Sequence, residues 1–140
     1  MVPQDLHMVE GSGPVIVVDD NETDAMLTRR CFEKSDLRNE FVWLPSGAEL
    51  LDYLEQVENA SAPMPALIML DINMPGLDGF ETLRRMREQP QFRTIPTLFM
   101  YSSSSAPEDE ARAIKLGANG YVQKPSDISA LISFFDSLAA

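Results

Sequence analysis

The feature that most constrains this chain is an apolar run that ends in an acidic residue and a tight turn, at residues 67–80 (LIMLDINMPGLDGF). Four apolar residues lead directly into Asp71, and turn-forming residues follow at once: Asn73, Pro75, Gly76, Asp78 and Gly79. An unbroken apolar run between turn residues is typical of a strand buried on both faces, as in a parallel sheet. A carboxylate at the carboxyl end of such a strand lies where open α/β sheets bind ligands. Asp71 is therefore a candidate reactive group, although a strand-end Asp taken alone more often caps the next turn.

Other short apolar runs are also typical of buried strands, and each is followed by a segment with helical periodicity. Strands are predicted at residues 15–18, 41–44, 67–70, 97–101 and 121–122. The last helix has the clearest apolar stripe, formed by Ile128, Leu131, Ile132, Phe135 and Leu138. Five alternations of strand and helix predict an α/β fold, a doubly wound parallel sheet of five strands with five helices on its two faces. This is a flavodoxin-like arrangement of three layers.

Two finer expectations concern the helices. In the first helix, Leu27 and Cys31 lie one turn apart and Ala25 and Phe32 lie two turns apart, which predicts one apolar face. In the third helix, Arg84, Arg85 and Arg87 lie mostly opposite the apolar residues and are predicted to form a solvated face.

The size and composition are those of one soluble globular domain, with 140 residues, 44% hydrophobic and 24% charged. Residues 1–13 lack the features of a secretion signal and are predicted to be a flexible arm, followed by one domain over residues 14–140 and no output domain. No apolar run approaches the roughly 18 residues that a membrane span needs. The net charge of −11 argues against a nucleic-acid surface. Cys31 is the only cysteine, which excludes an internal disulfide and favours the cytoplasm.

Polar residues follow four of the predicted strands. Asp19 and Asp20 follow the first strand, Asp71 the third, Ser102 the fourth and Lys124 the fifth. Parallel strands present their carboxyl ends at one edge of the sheet, and the strand order 2-1-3-4-5 makes the first and third strands neighbours. The three carboxylates would then meet, with a hydroxyl and an ammonium group nearby.

Carboxylates at such short range repel one another, so a site of this kind either raises a carboxyl pKa or binds a cation. Oxygen ligands with room left for water and substrate suit Mg²⁺, and zinc is disfavoured because His7 and Cys31 lie outside the cluster. A carboxylate beside Mg²⁺ can attack a phosphorus centre and form an aspartyl phosphate. The cation and the Lys124 ammonium would then offset charge on the transferring group, and Ser102 would supply a hydroxyl donor.

This set of residues closely resembles the receiver domain of two-component response regulators. The resemblance covers about residues 14–138 and is carried by VVDD at 17–20, LDINMPGLDG at 70–79, the hydroxyl at 102 and GYVQKP at 120–125. It implies a stand-alone receiver, similar to chemotaxis regulators or to the single-domain regulators that pair with phytochrome-type kinases. Such a protein is a phosphorylation-controlled switch and not a conventional enzyme, with Mg²⁺-dependent self-phosphorylation and self-dephosphorylation.

The resemblance implies a role for each residue at the acidic end of the site. Asp71 would accept the phosphoryl group from a histidine kinase or a histidine phosphotransfer protein. Asp20 and Asp71 would bind Mg²⁺ directly, Asp19 would act mainly through water, and the backbone carbonyl of Asn73 would complete the metal site.

The remaining roles concern the readout of phosphorylation. Ser102 and Lys124 would contact the phosphoryl oxygens, and the bond between Lys124 and Pro125 would be cis. Tyr121 would turn inward as Ser102 moves, so that a local charge becomes a surface change. The output face would comprise the fourth helix, the fifth strand and the fifth helix. That face would meet a target protein, a phosphorelay partner or a second copy of the chain.

The site hydroxyl is assigned differently by two counts. Family members usually carry it five positions after the proline that precedes the fourth strand, which is Tyr101 when counted from Pro96. Counting back from Gly117 gives Ser102, which is preferred because a bulky phenol does not suit this position; Ser103 remains an alternative.

Three other functions compete with that of a receiver. An EF-hand fails because Pro75 and Thr82 occupy positions that calcium ligands require. A phosphatase with an aspartyl intermediate would need an acid at position 73, where Asn cannot donate a proton. A receiver-fold binding module that is never phosphorylated is disfavoured by the complete set of site residues, and it stays open as the alternative.

Overall fold

The structure, a computed structural model, describes residues 9, 12–72, 74, 76–101, 107–123 and 127–138. The strands are β1 (Val15–Val18), β2 (Phe41–Leu44), β3 (Leu67–Asp71), β4 (Thr97–Tyr101) and β5 (Gly120–Gln123). The helices are α1 (Glu22–Lys34), α2 (Gly47–Glu58), α3 (Gly79–Arg87), α4 (Pro107–Lys115) and α5 (Ile128–Leu138). A 3-10 helix covers Pro90–Phe92. The strands therefore form where the apolar runs predict them.

The five strands form one parallel sheet in the order β2-β1-β3-β4-β5, which confirms the predicted fold class and strand order. The register places Val18 opposite both Leu44 and Leu70, and Asp71 opposite Met100. The carboxyl ends of β1 and β3 therefore lie side by side at the centre of the sheet. The described helices show no segment with the length and apolar character needed to span a membrane.

Alternating side chains of the strands feed two separate hydrophobic cores, one on each face of the sheet. One core packs against α1 and α5 and includes Val17, Met69, Leu98, Phe32 and Phe135. The other packs against α2, α3 and α4 and includes Ile16, Ile68, Phe99, Leu54 and Leu83. Full burial of each such side chain stabilises the fold by about 1.5–3 kcal/mol. Two covered faces explain why the central strands are apolar at consecutive positions.

Four of the described helices begin at side chains that cap them, and one of these is α5, where the Asp127 carboxylate accepts from the N–H of Ala130 at 2.7 Å. Asn21 accepts a hydrogen bond from the N–H of Asp24 at 3.0 Å, and Ser46 caps α2 in the same way. The Asp78 carboxylate accepts from the N–H of Glu81 at 2.9 Å. Because a cap of this kind contributes about 1 kcal/mol, Asp78 fixes the start of α3 directly after the turn that follows β3.

Two apolar residues are more exposed than their periodicity predicts. Leu27 in α1 is 42% exposed and Ile128 in α5 is 50% exposed, although Cys31 is buried as expected. Ala25, Cys31 and Phe32, the other three residues of the predicted apolar face of α1, are buried. The prediction for Leu27 was therefore wrong, because the helix meets the sheet and α5 along a narrower stripe than its apolar content suggests.

The arginines of α3 divide into two kinds. Arg84 and Arg85 form exposed ion pairs with Glu81, and Arg84 also pairs with Glu88. Hydrogen bonds from Arg84 and then Arg85 lower the pKa of Glu81 to about 2. These residues lie on a solvated face, as predicted, and such pairs in water contribute little to stability.

Arg87 is not part of that face, and its predicted exposure was wrong. Its guanidinium donates to the carbonyls of Phe92, Ile95 and Gly117 at 2.6, 2.9 and 3.0 Å. It also reaches the side chains of Thr97 and Asn119. Burial lowers the pKa of this guanidinium. Arg87 thereby joins the end of α3 to the segments that enter β4 and β5.

The predicted flexible arm is anchored at Val9. The side chain of Val9 is 7% exposed in the core beneath α1 and α5, and its N–H donates to the carbonyl of Leu138 at 3.0 Å. Gly13 accepts from the Asn39 side chain at 2.7 Å. Residues 1–8, 10 and 11 lie outside the described residues, so the flexibility of the rest of the arm stays a prediction.

Candidate functional site

Three carboxylates meet at the carboxyl edge of the sheet, where the strand order predicts them. Asp19 and Asp20 follow β1, Asp71 ends β3, and one oxygen from each lies within 4.8 Å of the other two. Asp19 is 3% exposed and Asp71 is 7% exposed, whereas Asp20 faces solvent. The cluster is therefore open to water and ligands on the side of Asp20.

Asp19 is held by backbone groups on both sides. Its N–H donates to the carbonyl of Leu44 at 3.1 Å, which extends the pairing of β1 with β2 by one residue. Its carboxylate accepts from the N–H of Asn21 at 3.0 Å. Asn21 also caps α1, so the start of that helix and the acidic pair are fixed together.

The start of α3 packs directly on the backbone that carries Asp71. A Cβ added at Gly79 would lie 2.7 Å from the Asp71 carbonyl oxygen and 2.9 Å from the Cα of Ile72. The N–H of Gly79 donates to the Ile72 carbonyl at 3.4 Å. Only glycine allows the start of α3 to lie this close to the Asp71 backbone. Gly79 therefore helps to place Asp71.

We expect Gly79→Ala to displace the Asp71 backbone and to weaken cation binding at the cluster. The contact is with backbone atoms and cannot be relieved by a side-chain rotation, so a loss of about 1–3 kcal/mol in the free energy of unfolding is expected. Urea unfolding and calorimetric titration with Mg²⁺ or Mn²⁺ measure the two effects.

Gly76→Ala is the matched control for that substitution. Gly76 has a φ of +76°, but an added Cβ would meet no atom within 4 Å. In the Gly76→Ala variant, backbone strain should lower the free energy of unfolding by about 1 kcal/mol. The cation affinity should remain that of the parent chain. Equal loss of cation affinity in both variants would contradict a specific role for Gly79.

Tyr121, the predicted switch residue, is buried in the sheet, whereas several further predicted site residues fall outside the described part. Tyr121 is 6% exposed, lies opposite Phe99 and belongs to the core beneath α2, α3 and α4. The predictions that concern Asn73, Ser102, Ser103, Lys124 and the Lys124-Pro125 bond lie outside the described residues. The register pairs Tyr101 with Gln123 at the edge of the sheet that carries Asp71.

The chemistry of the cluster fits a hard divalent cation. The acidic group supplies only carboxylate oxygens, which Mg²⁺ and Mn²⁺ prefer, and the one cysteine is buried on α1. Asp19, Asp20 and Asp71 could hold such an ion while leaving positions for water and a phosphoryl oxygen. The sequence pattern found these residues, but it gave no signal for the contact of Trp43, whose indole N–H donates to the Asp19 carbonyl.

Comparison with known proteins places this geometry in a family. The family model for the response regulator receiver domain matches residues 15–136. The "Probable methanogenesis regulatory protein FilR2" of Methanothrix harundinacea is 33% identical over 120 residues, which cover 84% of this chain and 77% of that protein.

Two solved response regulators share the fold closely. The phosphorylated cyanobacterial phytochrome response regulator RcpA is 30% identical, with a TM-score of 0.78 and 90% of each chain covered. The Mn²⁺-bound form of response regulator Rcp1 is 26% identical, with a TM-score of 0.76 and 89% of each chain covered. Receiver domains are signalling proteins and not conventional enzymes. The matched family, the strand order and the acidic cluster agree: this chain belongs to the receiver domain family of two-component response regulators.

Proposed function

We propose that this chain is a single-domain response regulator that accepts a phosphoryl group on Asp71, with Mg²⁺ bound beside it, and signals through a protein-binding surface. The observation that carries the proposal is the meeting of Asp19, Asp20 and Asp71, with oxygens within 4.8 Å. Asp71 ends the middle strand of the sheet and is the only one of the three contributed by β3. It therefore lies beside the acidic pair that follows β1.

The proposed reaction transfers a phosphoryl group to an Asp71 oxygen. That oxygen attacks the phosphorus of a phosphohistidine in a histidine kinase or phosphotransfer protein. A bond from phosphorus to Asp71 forms, the bond to the imidazole nitrogen breaks, and the imidazole keeps the electron pair. A bound Mg²⁺ would supply positive charge to the phosphoryl oxygens. Asp19 and Asp20 would orient the cation, and the surrounding carboxylates would otherwise repel the incoming anion.

The family resemblance supplies the remaining roles. The Asn73 carbonyl would complete the metal site, and Ser102 and Lys124 would contact the phosphoryl oxygens. Hydrolysis of the aspartyl phosphate at the same site would reset the switch. Movement of Ser102 toward the phosphate would be relayed through Tyr121.

The proposed output surface comprises α4, β5 and α5. Two large apolar side chains of these helices are half-exposed, Ile114 and Ile128, each at 50%. Arg112 of α4 stacks over the ring of Phe80, 4.3 Å from its centroid, so α4 contacts the residue that follows Gly79 beneath the site. A target protein, a phosphorelay partner or a second copy of the chain would bind there. The similarity to the phytochrome response regulator RcpA supports a phytochrome-type kinase as the source of the phosphoryl group. We place this signalling in the cytoplasm.

Acetyl phosphate tests the proposal without a kinase. With Mg²⁺ present, intact-mass measurement should show the addition of one phosphoryl group, and excess EDTA should prevent it because the transferring charge is then uncompensated. Absence of any addition with either Mg²⁺ or Mn²⁺ would contradict the proposal. It would favour the alternative, a receiver-fold binding module that works without phosphorylation.

A further inference from the structure

The only tryptophan of the chain, Trp43, lies on the strand next to β1 and forms a hydrogen bond with the backbone of Asp19. Trp43 is the third residue of β2 and lies opposite Val17 in the register, two residues before Asp19. Its indole Nε1–H donates to the main-chain carbonyl of Asp19 at 2.8 Å. The side chain is half-buried on this edge strand, so the ring reaches along the strand toward the site.

This hydrogen bond acts on the peptide that joins the two acids. The Asp19 carbonyl belongs to the peptide group that leads to Asp20. The Asp19 N–H is bonded to the Leu44 carbonyl at 3.1 Å, and the Asp19 carboxylate accepts from the Asn21 N–H at 3.0 Å. The indole thus restrains the Asp19–Asp20 peptide plane, which contains the Cα atom that carries the Asp20 side chain.

Asp20 is the member of the cluster that most needs such a restraint. Asp19 and Asp71 are buried and confined by their surroundings, whereas Asp20 faces solvent. Mutual repulsion among three carboxylates would drive the exposed one outward in the absence of a cation. A restrained backbone reduces the ordering that cation binding would otherwise require.

We propose that Trp43 is a positioning residue for the metal site: its indole N–H holds the Asp19–Asp20 peptide so that the three carboxylates are arranged before the cation binds. The inference rests on the proposed function, because it assumes that this cluster binds Mg²⁺. It assigns to β2, which contributes no carboxylate, a direct part in metal affinity.

The test removes the hydrogen-bond donor and keeps the ring. Trp43 is replaced by β-(3-benzothienyl)alanine, whose bicyclic ring has sulfur in place of N–H, and Trp43→Phe serves as an encoded counterpart. Calorimetric titration with Mg²⁺ and with Mn²⁺ gives the affinity without reference to phosphorylation. Loss of one hydrogen bond that orders the site should weaken cation binding by about 5- to 10-fold.

Tyr53→Phe is the matched control. The Tyr53 hydroxyl donates to the Pro63 carbonyl at 2.8 Å, which is also an aromatic donor on a backbone carbonyl but is remote from the acidic cluster. This variant should bind both cations with the affinity of the parent chain. A purely structural role for Trp43 would make the two variants alike in cation affinity.

The outcomes separate this inference from the proposed function. If the parent chain binds the cations and the benzothienyl variant binds them equally well, Trp43 is not a positioning residue and the proposed function stands. If the parent chain binds neither cation, the proposed function fails and the role of Trp43 fails with it. Weaker binding in the Trp43 variants, with Tyr53→Phe unchanged, supports both.

Discussion

Asp71→Asn is expected to abolish phosphoryl uptake from acetyl phosphate completely. The amide that replaces the carboxylate lacks the anionic oxygen that attacks phosphorus, and it removes one of the three charges that would hold the cation. The substitution changes no volume and leaves the Asp71 main chain in its place between β1 and β4. Intact-mass measurement after incubation with acetyl phosphate and Mg²⁺ should show only the unmodified chain.

Asp52→Asn provides the matched control for this loss. Asp52 lies on the exposed side of α2 and carries the same charge away from the cluster. Its amide variant should gain one phosphoryl group like the parent chain. Addition of a phosphoryl group to the Asp71→Asn variant would instead mean that another residue is the acceptor.

Arg87→Gln is expected to cause the largest loss of stability among substitutions of charged residues on α3. The guanidinium donates to three carbonyls, and its replacement removes the charged donor that joins the end of α3 to the segments before β4 and β5. Each charged hydrogen bond contributes about 1.5–3 kcal/mol, although such contributions are not additive. A loss of about 3 kcal/mol in the free energy of unfolding is expected, to be measured by urea denaturation.

Two further substitutions make this prediction specific. Arg84→Gln removes only exposed ion pairs and should leave the urea midpoint nearly unchanged. Arg87→Lys should fall between Arg87→Gln and the parent chain, because an ammonium group keeps the charge but cannot reach several carbonyls at once. A parent-like midpoint for Arg87→Gln would contradict the role described.

Arg87→Gln should lower the stability of the fold without preventing phosphorylation. Arg87 contacts residues at the amino ends of β4 and β5, whereas the carboxylates lie at the opposite edge of the sheet. Folded Arg87→Gln protein should therefore still take up a phosphoryl group from acetyl phosphate.

The sequence predicted those parts of the fold that follow from local pattern. The apolar runs of β1 and β3 are buried on both faces, so they differ sharply from the segments around them. The order 2-1-3-4-5 was assumed as one of the common orders of doubly wound sheets, and Asp19, Asp20 and Asp71 come together on that basis. The predicted meeting of these carboxylates therefore depended both on the strand ends and on the assumed strand order.

Contacts between segments distant in the chain could not be predicted in the same way. Helical periodicity predicts that Arg87 lies on the same exposed face as Arg84 and Arg85. It cannot show that the turn before β5 packs against the end of α3, where Gly117 and Asn119 accept hydrogen bonds from Arg87. The hydrogen bond of Trp43 to the Asp19 carbonyl depends on the pairing of β1 with β2, which a local sequence pattern does not show.

The contact between Val9 and Leu138 has a consequence for the connectivity of the chain. Helix α5 packs along α1 and follows β5 back across the sheet, so the two residues meet at the edge opposite the acidic cluster. A short peptide linker there would close the described chain into a ring. The exposed loop at residues 59–61 offers a place to reopen that ring. A circular permutant built in this way would begin at β3 and end at α2, and its sheet and carboxylates would remain where they are.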